Sequence, residues 1–225
     1  MQKFKGLIFD FNGVLLLDQH VHDAIWQTYA VKILGRFLSD DEIKNIFHGR
    51  TTKGVLEHLY GKELAPAELE SYTQEKELAY QKTAQDLGDE FQLAPGAISL
   101  FELLEQKKVP FTIATSSPTM NIGFYNDKLH LDTWFDMNKI AYDDGTVRGK
   151  PAPDLYLRGA QMLSLPPAEC VVIEDARSGI EAARAAGIGY IIAIGPKDRH
   201  PTLRTIEGVN GVIEQLNEVD VPRLF

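Results

Sequence analysis

Asp10, Asn12, Thr115, Ser116, Lys150, Glu174 and Asp175 are the residues whose types and positions most invite chemistry. Most of them close a short apolar run. Asp10-Phe11-Asn12-Gly13 follows Lys5-Gly6-Leu7-Ile8-Phe9, Thr115-Ser116-Ser117 follows Phe111-Thr112-Ile113-Ala114, and Glu174-Asp175 follows Cys170-Val171-Val172-Ile173. Lys150-Pro151 stands just ahead of a helix predicted to start near Pro153. Ligands of open α/β sheets bind beyond the carboxyl ends of the strands, so these groups converge on one rim if the runs are neighbouring parallel strands. Carboxylates gathered there suit a hard cation such as Mg²⁺, which takes a few carboxylates plus waters and phosphate oxygens. Thr115, nearby backbone N–H groups and Lys150 would bind the remaining phosphate charge.

The elements that must position these residues follow from the hydrophobic pattern. The runs above and Tyr190-Ile191-Ile192-Ala193-Ile194 are apolar almost without alternation, which predicts strands buried on both faces. Helical stretches lie between them over Ala97 to Lys108, Pro153 to Leu163 and Ser178 to Ala186. This is the pattern of a doubly wound, Rossmann-like parallel sheet. From Asp18 to Leu87 there is no convincing strand, and amphipathic segments succeed one another over His20–Leu34, Asp40–Phe47, Thr51–Tyr60 and Pro66–Ala84. Ser39-Asp40-Asp41-Glu42 and Ala65-Pro66-Ala67-Glu68 read as helix starts. The expected organisation is therefore an α/β core over 1–17 and 88–225 with an α-helical cap inserted at 18–87.

Length and charge bound the function. The chain has 225 residues, 44% hydrophobic and 24% charged, with a formal net charge of −9. That balance argues for a globular protein and against coating nucleic acid or lying on a membrane surface. One cysteine, Cys170, excludes an internal disulfide framework. Lys3 and Lys5 precede only a three-residue apolar run before Asp10, so this stretch is not expected to act as a secretory leader. The expected protein is cytoplasmic, a monomer or weak dimer, whose partner is a small phosphate-bearing molecule rather than nucleic acid or membrane.

Four segments together resemble the haloacid dehalogenase superfamily, in its β-phosphoglucomutase-like phosphatase branch with a helical cap. They are Phe9-Asp10-Phe11-Asn12-Gly13-Val14-Leu15, Ile113-Ala114-Thr115-Ser116-Ser117, Gly149-Lys150-Pro151-Ala152-Pro153-Asp154 and Val172-Ile173-Glu174-Asp175-Ala176-Arg177-Ser178-Gly179. They occur in the family's order, and the likeness spans nearly the whole chain. The resemblance implies that Asp10 is a nucleophile forming an aspartyl-phosphate. It implies that Thr115 holds a phosphate oxygen and that Lys150 neutralises nucleophile and phosphate together. Mg²⁺ would be held by Asp10, Glu174, Asp175 and the backbone carbonyl of Asn12.

Asn12 departs from that pattern. The family's phosphatases carry aspartate there as general acid and base, and an amide has no titratable proton near neutral pH. Losing a positioned acid costs about 10²–10⁴-fold in rate. Three readings stay open: an engineered trap, a naturally slow or inactive member, or substitution by another group, with His20 and His22 the nearest candidates.

The cap should select the substrate. His48-Gly49-Arg50-Thr51-Thr52-Lys53 resembles the branch's substrate loop, so Gly49, Arg50, Thr51 and Lys53 are candidate binding residues, joined by Ser116, Lys76 and His22. Bland readings compete: Thr115-Ser116-Ser117 as a capping turn, Lys150 as a solvated loop residue, Arg50, Lys53 and Lys76 as surface charge, Trp26 as packing. The expectation is a Mg²⁺-dependent phosphatase acting on a small organic phosphate, most naturally a sugar phosphate, impaired by Asn12. The alternatives are an inactive phosphate-ligand binder and a hexose-phosphate mutase. The mutase is disfavoured because Thr52 and Pro118-Thr119 stand where its phosphate-binding residues align. Carbon–halogen hydrolysis needs no metal site, and dinucleotide binding finds no G-x-G-x-x-G after the first run.

Overall fold

A computed structural model describes residues 4–225, so Lys3 of the leader argument lies outside the described residues. Six strands form one parallel sheet: β1 (Gly6–Phe9), β2 (Phe111–Pro118), β3 (Ala141–Asp143), β4 (Cys170–Glu174), β5 (Tyr190–Ile194) and β6 (Val209–Ile213), in the order β3-β2-β1-β4-β5-β6. Successive side chains of a strand face opposite ways. Leu7 and Phe9 accordingly enter one apolar cluster and Ile8 the other, both fully buried. A sheet covered on both faces needs apolar side chains on both sides of its central strands, and polar ones there must find partners.

The helices are α1 (Gln19–Leu34), α2 (Asp40–Glu42), α3 (Thr52–Tyr60), α4 (Pro66–Asp86), α5 (Ala97–Gln106), α6 (Thr119–Leu129), α7 (Asp154–Met162) and α8 (Arg177–Ala185), with short turns besides. Between α1 and α4 the described residues contain no strand, and this stretch forms a helical cap over the sheet's carboxyl edge. The chain leaves and returns side by side, because Leu16 bridges Leu93 and the Ala94 N–H donates to the Leu15 carbonyl at 2.8 Å. Predicted helix starts act as expected: Ser39 and Glu42 cap each other reciprocally, and the Glu68 carboxylate accepts from the Ala65 N–H.

Three expectations need correction. The helix expected over Asp40–Phe47 is α2 running into a π-helical turn at Ile43–Phe47, closed by the His48 N–H on the Ile43 carbonyl. Thr115, Ser116 and Ser117 lie inside β2, which continues to Pro118 with an irregular register, rather than beyond its end. The sequence reading also lacked β3 and β6. Both are edge strands with one partner each; β3 has three residues, and β6 is interrupted by Asn210 and Gly211. Neither presents the continuous apolar run that marks a central strand.

Candidate active site

Register delivers the core residues. Phe9 pairs with Ile113 on one side and with Ile173 on the other, so Asp10, Ala114 and Glu174 emerge together at the carboxyl edge. The chain order reverses around β1, which places Asp10 at the crevice where such sheets bind ligands. Gly13 then turns the loop in the left-handed region, at φ +88°, and a side chain there would collide with the Asp175 carboxylate. Glycine at 13 thus lets the loop after β1 lie directly on the loop after β4.

Asp10, Glu174 and Asp175 are all buried, and each presents an oxygen within 4.8 Å of the others. Lys150 Nζ donates to Asp10 Oδ1 at 2.6 Å and to Glu174 Oε1 at 2.7 Å, while the Arg199 guanidinium reaches only the backbone carbonyl of Asp175, at 3.2 Å. Burial would favour a neutral lysine, but these two carboxylates hold its ammonium above the usual range. Glu174 Oε1 also accepts from Tyr156 at 2.9 Å and Oε2 from the Ala176 N–H at 2.8 Å, which fixes the carboxylate and leaves Oε2 room for one further partner. Burial lifts Asp10 to about 7 against the pull of Lys150, and lifts Asp175 well above the carboxylate range, with Glu174 and Asp10 adding to it.

Asp175 Oδ1 is buried and has no partner among the described residues. A cluster short of positive charge, with an orphaned carboxylate oxygen, fits a divalent cation, which would restore the ionised forms that burial penalises. Asp10, Asp175 and the Asn12 carbonyl are the residues placed to hold it, with Glu174 behind them.

A cavity opens above Asp10, walled on the sheet side by Asn12, Thr115, Ser116 and Ser117. On the cap side it meets His22, Gly49, Arg50, Thr52 and Lys76. The loop at Gly49 is pinned to the sheet edge: Ser116 donates to the Gly49 carbonyl and Ser178 to the His48 carbonyl, both at 2.7 Å. Gly49 has φ +75°, and a side chain there would strike Ser178. Arg50 Nε is buried without a partner among the described residues, a donor available to whatever enters.

Lys76 is brought to the cavity but is not free. Its ammonium lies 3.0 Å from both oxygens of Glu77 and 5.1 Å from the Trp26 ring centre. Glu77 is completely buried on α4 and also accepts from Thr52 Oγ1 at 2.6 Å and Asn121 Nδ2 at 2.8 Å. Burial opposes its charge, yet Lys76, the Thr52 hydroxyl and His22 hold it below the usual range. His22 stacks on Tyr80 at 4.4 Å, its Nδ1 lying 3.3 Å from Lys76 Nζ.

Not every candidate converges. Lys53 is largely exposed, lies 3.9 Å from Glu57 and borders a neighbouring cleft. Thr51 borders that cleft too, its hydroxyl capping α3 through the Gly54 N–H. His20 is exposed beside another groove and does not line the cavity. The sequence reading missed Asp18, Glu77, Tyr80, Asn121, Tyr125 and Tyr156 as participants. A buried acid on a helix looks like any other acid in sequence, and the partners of Asp18 and Glu77 lie up to 62 residues away.

A family model described as haloacid dehalogenase-like hydrolase matches residues 4–187. Hexitol phosphatase A of Escherichia coli is 31% identical over 219 residues, covering 97% of this chain and 95% of that one. β-Phosphoglucomutase of Bacillus subtilis is 28% identical over 98% of this chain and 93% of its own length. Among solved structures, a haloacid dehalogenase hydrolase of family IA, variant 3, from Entamoeba histolytica superposes with a TM-score of 0.83 at 38% identity, covering 98% of this chain and 97% of that one.

Proposed function

We propose, from the premise that this chain belongs to the haloacid dehalogenase-like hydrolases, in the branch of β-phosphoglucomutase and hexitol phosphatase, that it is a Mg²⁺-dependent phosphatase for a phosphorylated sugar or polyol. The observation that carries the reading is the Asp10–Lys150–Glu174 arrangement, with Asp175 Oδ1 unpartnered among the described residues, and with Asp10 opening into a cavity that His22, Arg50, Thr52 and Lys76 border from the cap. Asp10 attacks phosphorus in line with the ester oxygen, so that an Asp10–phosphorus bond forms as the ester bond breaks. Lys150 offsets charge on both nucleophile and phosphoryl oxygens, and Thr115 with adjacent N–H groups holds those oxygens. A bound Mg²⁺ supplies further screening of the phosphate. Water then attacks the aspartyl-phosphate, releasing phosphate and restoring Asp10. The hydroxyl-rich tail of the substrate would meet His22, Thr52 and Asn121, and the pinned Gly49 loop would keep bulk water out.

Asn12 cannot protonate the leaving alcohol. Aryl and acyl phosphates, whose leaving groups need no proton, should therefore turn over faster than sugar phosphates. The Asn12 amide, which donates to Asp18 and accepts from Ser117, favours a second reading, in which the pocket binds a phosphate ligand without turning it over. Phosphate release from a panel of hexitol, hexose and aryl phosphates, with Mg²⁺ and with chelator, separates the two. Mg²⁺-dependent release that vanishes in Asp10→Asn supports the phosphatase. Saturable, Mg²⁺-dependent binding without release from any compound, aryl phosphates included, overturns it in favour of the binder.

A further inference from the structure

Asn12 spends its whole side chain on the protein. Its Nδ2 donates to Asp18 Oδ2 at 2.8 Å and to Tyr125 Oη at 3.1 Å, and its Oδ1 accepts from Ser117 Oγ at 2.8 Å. A carboxylate only accepts, so Asp18 assigns the amide nitrogen to that side. Asp18 sits where the chain crosses from sheet to cap, 1% exposed. The same Oδ2 accepts from Tyr80 of α4 at 2.5 Å and faces His22 Nε2 of α1 at 3.3 Å. Its other oxygen, Oδ1, has no partner among the described residues. The charge of Asp18 thus leans on donors gathered at one oxygen, and Asn12 is the donor that comes from the catalytic loop.

A carboxylate at position 12 would replace that donor by an acceptor, setting two negative groups about hydrogen-bond distance apart with little water. We propose that Asp18 is the positioning residue that fixes Asn12, the two forming a matched pair in which Asp18 carries the charge and residue 12 supplies the neutral donor. Asparagine is then what this fold requires at position 12. Aspartate can stand there only when residue 18 is neutral, so Asn12→Asp by itself does not rebuild an acid/base group. The pairing also ties the loop of the nucleophile to α1 and α4 of the cap through one buried carboxylate. It stands on contacts within the chain; only the turnover measurement below rests on the phosphatase reading.

The test is a double-mutant cycle of the full chain with Asn12→Asp, Asp18→Asn and both together. Thermal unfolding is followed at pH 8 in chelator, and release of phosphate from a hexitol phosphate in Mg²⁺. Asn12→Asp should lower the unfolding midpoint by roughly 6–12 °C in the native background and by under about 2 °C in the Asp18→Asn background. Turnover should gain on the order of 10²-fold from Asn12→Asp only in the second background. Equal thermal losses in the two backgrounds, or a single Asn12→Asp variant as stable as the native chain, overturn the pairing. Thermal coupling without any gain in turnover upholds the pairing and removes the acid/base role from position 12. Such a result leaves the phosphatase reading to be judged by Asp10→Asn alone.

Discussion

Two buried charge clusters meet the cavity, one through Asp10 and the other through Lys76 and Glu77, and they are finished to different degrees. On the sheet side, Asp10 and Glu174 share the Lys150 ammonium, Asp175 has the Arg199 guanidinium near it, and Asp175 Oδ1 has no partner among the described residues. On the cap side, Lys76 and Glu77 neutralise each other, and Glu77 is further held by Thr52 and Asn121. An unpaired buried carboxylate is costly, and a structure keeps that cost where a ligand will relieve it. A paired and fully hydrogen-bonded cluster offers a ligand shape and dipoles without changing its charge. The sheet side is therefore built for reaction and the cap side for fit.

The comparison can be broken most directly at Asp10. Asp10→Asn should reduce phosphate release by about 10⁴-fold or more, since it removes the nucleophile, while leaving the unfolding midpoint level or raised. A midpoint lowered as far as the activity would mean that the sheet cluster is structural. Glu77→Gln should do the reverse. Stranding the buried Lys76 ammonium costs about 3–5 kcal/mol of stability, read as a lower denaturation midpoint, with turnover of the folded fraction changed by less than about tenfold.

Smaller in effect, the pH dependence of metal stabilisation sharpens the same contrast. Burial raises Asp10 from 3.8 to about 7, so the fold without metal favours the protonated acid. The stability from this group is full below its unfolded value and is lost as pH rises through the window up to about 7. A divalent cation offsets that loss. Mg²⁺ should raise the unfolding midpoint by more at pH 8 than at pH 5, and equal shifts at both values would count against a metal at Asp10. The smallest effect belongs to Lys53, which is exposed beside Glu57 and away from the cavity. Lys53→Ala should leave kcat/KM within about twofold, and a tenfold loss would extend the site into the neighbouring cleft.

Much of the sheet side was legible before any coordinates. Continuous apolar runs ending in Asp10, Thr115 and Glu174 announce central parallel strands, and a parallel sheet brings those ends to one rim whatever the details of packing. Even there the partners of Glu174 lay out of view: it accepts from Lys150, Tyr156 and the Ala176 N–H while keeping its place beside Asp10 and Asp175. The cap side was legible only in outline. Lys76 was singled out, yet its neighbour Glu77 decides whether its charge is available. Adjacent residues on a helix point about 100° apart, so their burial together depends on what packs on both sides of α4. Lys53 and Thr51 share a motif with Arg50 and Gly49 but start α3 facing elsewhere, since a helix divides consecutive residues among its faces.

Asn12 shows where the division falls. Its chemistry was fixed by the sequence alone: an amide two residues after the nucleophile has no proton to give. So were the α/β class, the helical insert and the four segments of the site, because they rest on hydrophobic period and on local order along the chain. What Asn12 is for was decided by tertiary structure. Asp18, Tyr125 and Ser117 reach it from the cap crossing, from α6 and from β2, at separations of 6, 113 and 105 residues. Hydrogen bonds and charges act over a few ångströms in space, without regard to distance along the chain, so only the packed fold could reveal which neighbour had taken the negative charge.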